Sequence, residues 1–362
     1  MPISYRELLS EASFPIAKLR PFVIAVIAIT AFSSCGGNDE IPVKIYLGTR
    51  SISKLPFVIA EDQGLFKKHG LDVDLRMPDP NFEGGRTTHD SGLRGQVWRR
   101  IWVTLGLRDE WKEDVFVDGL TPNIVKRVDY AGFPHRVAVA ATDCVLRAHI
   151  VSTSAIETIE ELKGRRIGIS ARRDTTTGFG ALVLARRMGW DPIHDVSIKY
   201  NGRDVEALEE GQVDAIVASE IRYAVAVKKG LRILADTRDW NVAIAGNSVM
   251  VDRSWLANSE NHEAIRRLLR ATTEAMAIFH NDRELAIQVL QKWHGIDDRD
   301  IAEIAYDRGQ WMPRKPYPCY EGIKNTFSMY DSSEMRKFAP EDFYDDRYIK
   351  ELDESGFIDQ LY

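Results

Sequence analysis

The sequence predicts an α/β protein built from two lobes. The chain has 362 residues, more than a single domain of about 100 to 200 residues requires. From Pro42 onward, short runs of β-branched residues alternate with amphipathic stretches, which is typical of parallel strands joined by helical crossovers. After Trp255 the pattern becomes helical, with Ile265, Leu268 and Met276 on one face. We therefore expect two α/β lobes and a helical C-terminal extension.

The first cycle of elements begins with a predicted strand at residues 43–47. A helix at 55–69, ended by Gly70, follows it, and residues 71–77 alternate in polarity as a second strand. Residues 84–114 are rich in charge and tryptophan, with apolar residues every four positions that favour a helix. The remaining elements of this cycle are strands at 115–117 and 136–141 and a helix at 123–128 with Pro122 in its first turn.

The second cycle begins with Ser154 and Glu157, which have the spacing of a capping box and predict a helix that ends at Gly164. The elements that follow are strands at 166–169, 197–200, 215–218 and 231–235, and helices at 178–188, 205–210 and 221–229.

The C-terminal part is predicted to be helical, without strands after about Val251. Asn281 and Glu284 form a second capping pair at the start of one of its helices. The tail, residues 314–362, is rich in proline and aromatic residues, so we expect short helices that wrap around a lobe.

The composition excludes several classes of protein. Lys and Arg total 48 and Asp and Glu total 54, a net charge of −6, and this balance does not favour binding to nucleic acid. Three cysteines without a CxxC pair, and eight scattered histidines, predict no metal site. The sequence has no G-x-S-x-G, P-loop or H-E-x-x-H motif, so we expect neither an enzyme nor a cofactor.

The N-terminus has the features of an export signal. Residues 21–32 are apolar but too short to cross a bilayer, and Arg6, Lys18 and Arg20 precede them. The small residues before Cys35 resemble the lipobox of bacterial lipoproteins, although Phe32 stands where those proteins usually have leucine. We expect a signal peptide at 1–34, lipidation of Cys35, a flexible tether at 35–41 and a protein held at the membrane, facing the periplasm or the cell exterior.

Three segments resemble the substrate-binding proteins of bacterial ABC importers, in the branch that binds sulfonates, taurine, nitrate and the pyrimidine precursor of thiamine. They are residues 55–73 (LPFVIAEDQGLFKKHGLDV), 159–168 (IEELKGRRIG) and 208–217 (LEEGQVDAIV). Residues 83–113 and the long tail depart from the pattern of that branch.

The resemblance implies a type II periplasmic-binding-protein fold, a Venus flytrap with two crossings between its lobes. Lobe one would comprise residues 42–143 and 246–362, and lobe two residues 144–245. The implied function is capture of a sulfonate, nitrate, amino acid-like or pyrimidine solute by a monomer that delivers it to an ABC permease. Two alternatives stay open: an enzyme of the pyrimidine-synthase type on the same fold, and a lipoprotein that binds another protein through residues 84–113 and the tail.

Polar side chains follow the predicted strands of the first lobe at their carboxyl ends, where open parallel sheets bind ligands. Arg50 and Ser51 follow the first strand, and Asp118, Thr121 and Asn123 follow the third. Each has an ordinary alternative, since residues 48–51 also suit a simple turn and Thr121 also suits a helix N-cap.

In the second lobe, Arg172, Thr175, Thr176 and Thr177 precede a predicted helix. Three hydroxyl groups at that place predict an anion-binding loop, to which Arg172 adds charge-assisted hydrogen bonds. The alternative is plain helix capping with a solvated arginine.

Three further candidates lie at a strand end and near the crossings. Glu220 suits an amine or a pyrimidine nitrogen, or else pairs with Arg222. Asp143 is a candidate hydrogen-bond acceptor and Trp240 a stacking surface, although an aromatic residue there also suits packing. This mixture of charges leaves an anion, a zwitterion and a heterocycle open. Cys144 and Cys319 are either buried thiols or, after export, a disulfide.

Overall fold

The computed structural model describes residues 40–78 and 111–362. The predicted signal peptide and Cys35 lie outside the described residues, as do residues 36–39 of the predicted tether and residues 84–110 of the predicted helix. Within the described part the chain forms two five-stranded sheets with helices, so the predicted α/β fold class is confirmed. No helix there combines the length and apolarity needed to span a bilayer.

The described strands, β1 to β10 in chain order, are Ile41–Leu47, Leu71–Arg76, Val115–Gly119, Arg136–Ala141, His149–Ser152, Arg166–Ile169, Ser197–Tyr200, Ala215–Ala218, Arg232–Asp236 and Asn247–Asp252. The described α-helices, α1 to α12, are Leu55–Asp62, Leu65–Lys68, Leu120–Asp129, Thr176–Arg187, Val205–Glu209, Glu220–Lys228, Arg253–Leu256, Asn261–Asn281, Arg283–His294, Arg299–Gly309, Tyr320–Met329 and Arg347–Glu354.

Both sheets are mixed, whereas the sequence pattern predicted parallel strands. The first has the order β2-β1-β3-β10-β4 and the second β7-β6-β8-β5-β9. In each sheet one strand runs antiparallel to its two neighbours: β10 between β3 and β4, and β5 between β8 and β9. These are the strands that the chain enters after passing from the other sheet, so their direction is reversed. Strand β5 was missed because its four residues are all buried and show no alternation.

The two sheets are connected by two segments that run side by side, residues 142–148 and 237–246. The Leu146 N–H donates a hydrogen bond to the Val242 carbonyl (2.8 Å) and the Ile244 N–H donates one to the Cys144 carbonyl (3.1 Å). These paired segments are the two crossings that the resemblance implied. The lobe boundaries at 143/144 and 245/246 stay a prediction.

Helix α11 packs directly on both crossings. A disulfide joins Cys319 at its N-cap to Cys144 on the first crossing. The second crossing lies so close to the helix that a Cβ on Gly322 would be 2.1 Å from the carbonyl carbon of Ile244. The disulfide alternative for the two cysteines is therefore the one that the structure contains.

Three predicted helix boundaries are wrong. The helix expected at 55–69 is divided into α1 and α2 because Gly64 adopts φ 65° between them. The capping box at Ser154 does not form; only a 3₁₀ turn, Glu160–Leu162, is present, and the Glu161 carboxylate accepts from the Thr158 N–H instead (3.2 Å). Asn281 ends α8, so the cap of α9 is Asp282, which accepts from the Leu285 N–H (3.0 Å).

The largest core lies around the first sheet and includes residues of α1, α8 and α9, such as Phe57 and Phe279. The tail contributes Tyr348 and Ile349 to the same core, and Tyr344 bridges to Ala138 in β4. The tail therefore packs against the first sheet. The second sheet has separate cores on its two faces.

Candidate functional site

A lysine that is not among the predicted site residues lies at the end of the first sheet. Lys54, just before α1, is only 1% exposed. Its ammonium group donates hydrogen bonds to the Asp118 carboxylate (2.9 Å), the Asn247 side-chain oxygen (2.8 Å) and the Ser51 hydroxyl (3.4 Å), and also contacts the Thr49 hydroxyl. A buried ammonium group is tolerated only when its charge and donors are matched in this way.

The partners of Lys54 come from three strands of the first sheet. Thr49 follows β1, Asp118 lies near the end of β3, and Asn247 begins β10. Because β10 runs antiparallel to β3, its first residue lies beside the last residues of β3, with Asn247 opposite Gly119. The predicted site residue Asp118 is therefore at the expected sheet edge, where it forms an ion pair.

A second buried ion pair lies on the first crossing. Arg147 donates to the Asp143 carboxylate from Nε (3.0 Å) and Nη2 (2.7 Å), and both side chains are almost fully buried. The predicted acceptor Asp143 is thus in the central region of the molecule, but its charge is matched within the protein.

Glu220 is the buried carboxyl group of the second sheet. It is the first residue of α6, directly after β8, and is 7% exposed. Its own backbone N–H donates to it, while no side chain within the described part of the chain forms a hydrogen bond or ion pair with it. Burial raises the pKa of the Glu220 carboxyl; nearby Arg147 and Lys54 oppose that rise and Asp143 adds to it. The alternative partner Arg222 instead pairs with Asp204.

These residues define one central cluster between the two sheets: Lys54, Asp118, Asp143, Arg147, Glu220 and Asn247. Glu220 connects the second sheet to the cluster. It interacts electrostatically with Lys54 of the first sheet and with the Asp143–Arg147 ion pair on the first crossing. The cluster thus lies where both sheets and a crossing meet.

The loop before α4 uses its hydroxyl groups internally. Thr177 accepts from the Ser170 N–H (3.0 Å), and the Ser170 hydroxyl is 2.7 Å from those of both Thr175 and Thr177. Thr175 caps α4 by accepting from the Gly178 N–H (3.3 Å). The capping alternative thus describes Thr175, whereas Thr177 bonds to Ser170. Thr176 is half-buried and forms no side-chain hydrogen bond to the described residues.

Arg172 in that loop forms an ion pair with a neighbouring residue. Its guanidinium forms a bidentate pair with the buried carboxylate of Asp174, with Nε to Oδ1 at 2.8 Å and Nη2 to Oδ2 at 2.5 Å. Its charge is therefore matched without a solute.

Four other predicted residues have structural contacts. Thr121 and Asn123 are buried within α3, where Thr121 donates to the Ala245 carbonyl (3.1 Å) and Asn123 to the Gly119 carbonyl (2.9 Å). Trp240 lies within the second crossing and packs against neighbouring hydrophobic cores, with the Arg187 guanidinium 5.5 Å from its ring. Arg50 donates from Nε to the Pro78 carbonyl (2.7 Å).

Ser51, the remaining predicted residue of the first lobe, lies next to Lys54. Its hydroxyl is 3.0 Å from that of Ser53 and accepts from the Lys54 ammonium group (3.4 Å). Within the described residues, no group of His, Cys, Asp or Glu side chains is arranged to hold a metal ion.

Comparison with known proteins agrees with this architecture. Residues 122–286 match the family model described as NMT1/THI5 like. A Brucella abortus protein that is named only as a binding protein is 25% identical over 300 residues, which cover 78% of this chain and 81% of the relative.

Two solved structures share the fold at low sequence identity. The periplasmic aliphatic sulphonate binding protein SsuA of Escherichia coli superposes with a TM-score of 0.60 and 19% identity, covering 82% of this chain and 96% of that one. The chain has the periplasmic-binding-protein fold. The periplasmic nitrate-binding protein NrtA of Synechocystis PCC 6803 gives a TM-score of 0.63 and 14% identity, covering 87% and 89% of the two chains. The resemblance seen in the sequence is confirmed, and the central cluster of this periplasmic-binding-protein fold lies between its two sheets.

Proposed function

We propose that this protein is the solute-binding component of an ABC importer, which captures a small polar solute between its two lobes and delivers it to a permease. The observation that carries this proposal is the central cluster, in which buried charged groups from both sheets and a crossing converge. Small-molecule sites in proteins contain a few convergent polar groups, and perturbed pKa values cluster at functional sites. The named binding functions of SsuA and NrtA support the same role.

The lobes in this proposal are residues 42–143 with 246–362, and residues 144–245. The paired crossings would serve as the hinge, because closure can be absorbed by a few residues between rigid lobes. Four predicted site residues belong to or adjoin the cluster and are the proposed solute-binding positions: Ser51, Asp118, Asp143 and Glu220. Lys54, which pairs with Asp118 and donates to Asn247, holds Asp118 in position.

Export and anchoring complete the proposal. Residues 1–34 would direct export, and Cys35 would carry the lipid that holds the protein at the membrane surface. The disulfide between Cys144 and Cys319 supports an extracytoplasmic location, since disulfides persist in oxidising compartments. Cells fed a labelled fatty acid should label the wild-type protein and not Cys35→Ala; equal labelling of both would contradict the anchor.

Capture is tested with the purified protein and a panel of sulfonates, nitrate, amino acids and pyrimidines. A bound solute should raise the melting temperature as its concentration rises, because it binds only the folded state. Small-angle scattering should then show a smaller radius of gyration with that solute than without it. Conversion of the solute into a new product, followed by mass spectrometry, would replace the transport proposal with the enzyme alternative.

A further inference from the structure

The charges of the central cluster do not balance within the protein. Lys54 pairs with Asp118 at 2.9 Å, and Arg147 pairs with Asp143 at 2.7 Å. Glu220 is the third carboxyl group, and within the described residues it has neither an ion-pair partner nor a side-chain hydrogen-bond donor. The cluster therefore holds one carboxyl group more than it has cations.

The position of Glu220 makes this surplus significant. Glu220 is only 7% exposed, and it interacts electrostatically with Lys54 of the other sheet. A buried carboxyl group whose only donor is its own backbone N–H is energetically unfavourable unless a further partner satisfies it. In a protein of this fold, the partner that enters between the two sheets is the solute.

The same geometry disfavours an anionic solute. Both cations of the cluster are already paired, and Arg172 pairs with the buried Asp174. The hydroxyl groups of Ser170, Thr175 and Thr177 bond to one another and to the backbone. A sulfonate or nitrate at Glu220 would thus approach a carboxyl group, where like charges repel.

We propose that the solute carries a positively charged nitrogen group with N–H donors, and that Glu220 is its counter-ion. The inference rests on the proposed function and names the solute class that this site binds. Asp118, which remains partly accessible beside Lys54, would accept a second hydrogen bond from the same solute. The chemistry differs from that named for SsuA and NrtA, whose solutes are anions.

Binding of such a cation should release a proton. The groups that face Glu220 are Lys54, Arg147 and Asp143, and burial outweighs their combined effect, so the pKa of Glu220 is raised in the free protein. A bound cation favours the ionised carboxylate and lowers that pKa. Between the lowered pKa of the complex and the raised pKa of the free protein, binding therefore releases a proton, and affinity increases with pH.

The test is calorimetric titration of the purified protein in two buffers of different ionisation heat, after thermal-shift screening. The cationic probes are agmatine, putrescine and an aminopyrimidine; the anionic probes are ethanesulfonate and nitrate; tetramethylammonium is the cation without N–H groups. At least one N–H cation should bind with proton release and bind better than tetramethylammonium. Glu220→Gln should weaken that binding by roughly 30-fold or more, as expected when one partner of a buried charge pair is removed.

Glu157→Gln is the matched control, because Glu157 is exposed on the same lobe, and it should bind like the wild type. The inference is overturned if none of the N–H cations binds, or if Glu220→Gln binds them as tightly as the wild type. Binding of ethanesulfonate or nitrate with proton uptake would also overturn it, but would leave solute capture standing because a solute still binds. A failed inference and a failed proposed function are therefore told apart by the anionic probes.

Discussion

The two sheets contribute buried charges to the same cluster in opposite ways. On the side of the first sheet, Lys54 is 1% exposed and its ammonium group is surrounded by oxygen atoms of Thr49, Ser51, Asp118 and Asn247. On the side of the second sheet, Glu220 is 7% exposed and receives a hydrogen bond only from its own backbone within the described residues. The two residues are similarly buried, but only Lys54 has side-chain partners that match its charge. This difference separates a structural charge, Lys54, from one that is left for a solute, Glu220.

The largest loss of stability is expected for replacement of Lys54, whose buried charge has partners. Lys54→Met removes the cation from Asp118 and the donor from Asn247, so we expect the free energy of unfolding to fall by about 3 kcal/mol. Urea unfolding followed by circular dichroism measures it. Lys67→Met is the control, because Lys67 is exposed on α2. Equal stability of Lys54→Met and wild type would show that the two sides of the cluster do not differ as described.

A smaller loss of stability is expected when the hydroxyl network beside the second sheet is disrupted. Thr177→Val keeps the shape of the side chain but leaves the buried Ser170 N–H without its acceptor. We expect the free energy of unfolding to fall by about 1 to 2 kcal/mol, measured in the same way. Thr176→Val, at a half-buried position in the first turn of α4, should change stability much less. If both variants lose stability equally, the hydroxyl network is not what orders this loop.

Local sequence patterns predicted most strands and several residues of the central cluster. Strands such as Arg136–Ala141 and Ala215–Ala218 were found because buried runs of small and β-branched residues are local signals. The reversed direction of β5 and β10 was not predicted, because strand direction depends on the path of the chain between the sheets and not on local sequence. Likewise, Ser154 and Glu157 have capping-box spacing, yet Ile156 is buried and the chain turns there instead.

The central cluster was predicted in part for the same reason. Asp118, Asp143 and Glu220 were selected because strand ends can be located from local patterns. Lys54 was missed because its main partners, Asp118 and Asn247, are 64 and 193 residues away along the chain. The signal available was a lysine in the apolar stretch at 52–59, where solvation is unfavourable without partners.

Replacement of Glu220, the charge without a side-chain partner, should change the free energy of unfolding in the opposite direction from replacement of Lys54. The folded-state pKa of Glu220 is raised above its unfolded value, so the folded state holds the proton more tightly. Stability from this group is therefore present below the unfolded pKa and declines as pH rises toward the folded pKa. Glu220→Gln removes the buried charge, so it should match the wild type near pH 4 and be more stable by roughly 1 kcal/mol at pH 8 without solute.

Unfolding of both proteins across that pH range measures this difference, and Glu157→Gln should show no pH-dependent difference from the wild type. A Glu220→Gln variant less stable than wild type at pH 8 would mean that the carboxylate has a partner in the solute-free protein. The distinction between the two sides of the cluster would then fail.

The smallest effect is expected at the other end of α6, where a charge is exposed. Lys228 pairs with Asp298 and, at 3.1 Å, with Asp300, so these residues join α6 to the start of α10. All three side chains are substantially solvated, and water and salt screen exposed ion pairs. Lys228→Gln should therefore leave the urea midpoint within experimental error of the wild type at physiological salt. A loss comparable to that of Lys54→Met would contradict the rule drawn from the cluster, because burial would then not decide which charges matter to this fold.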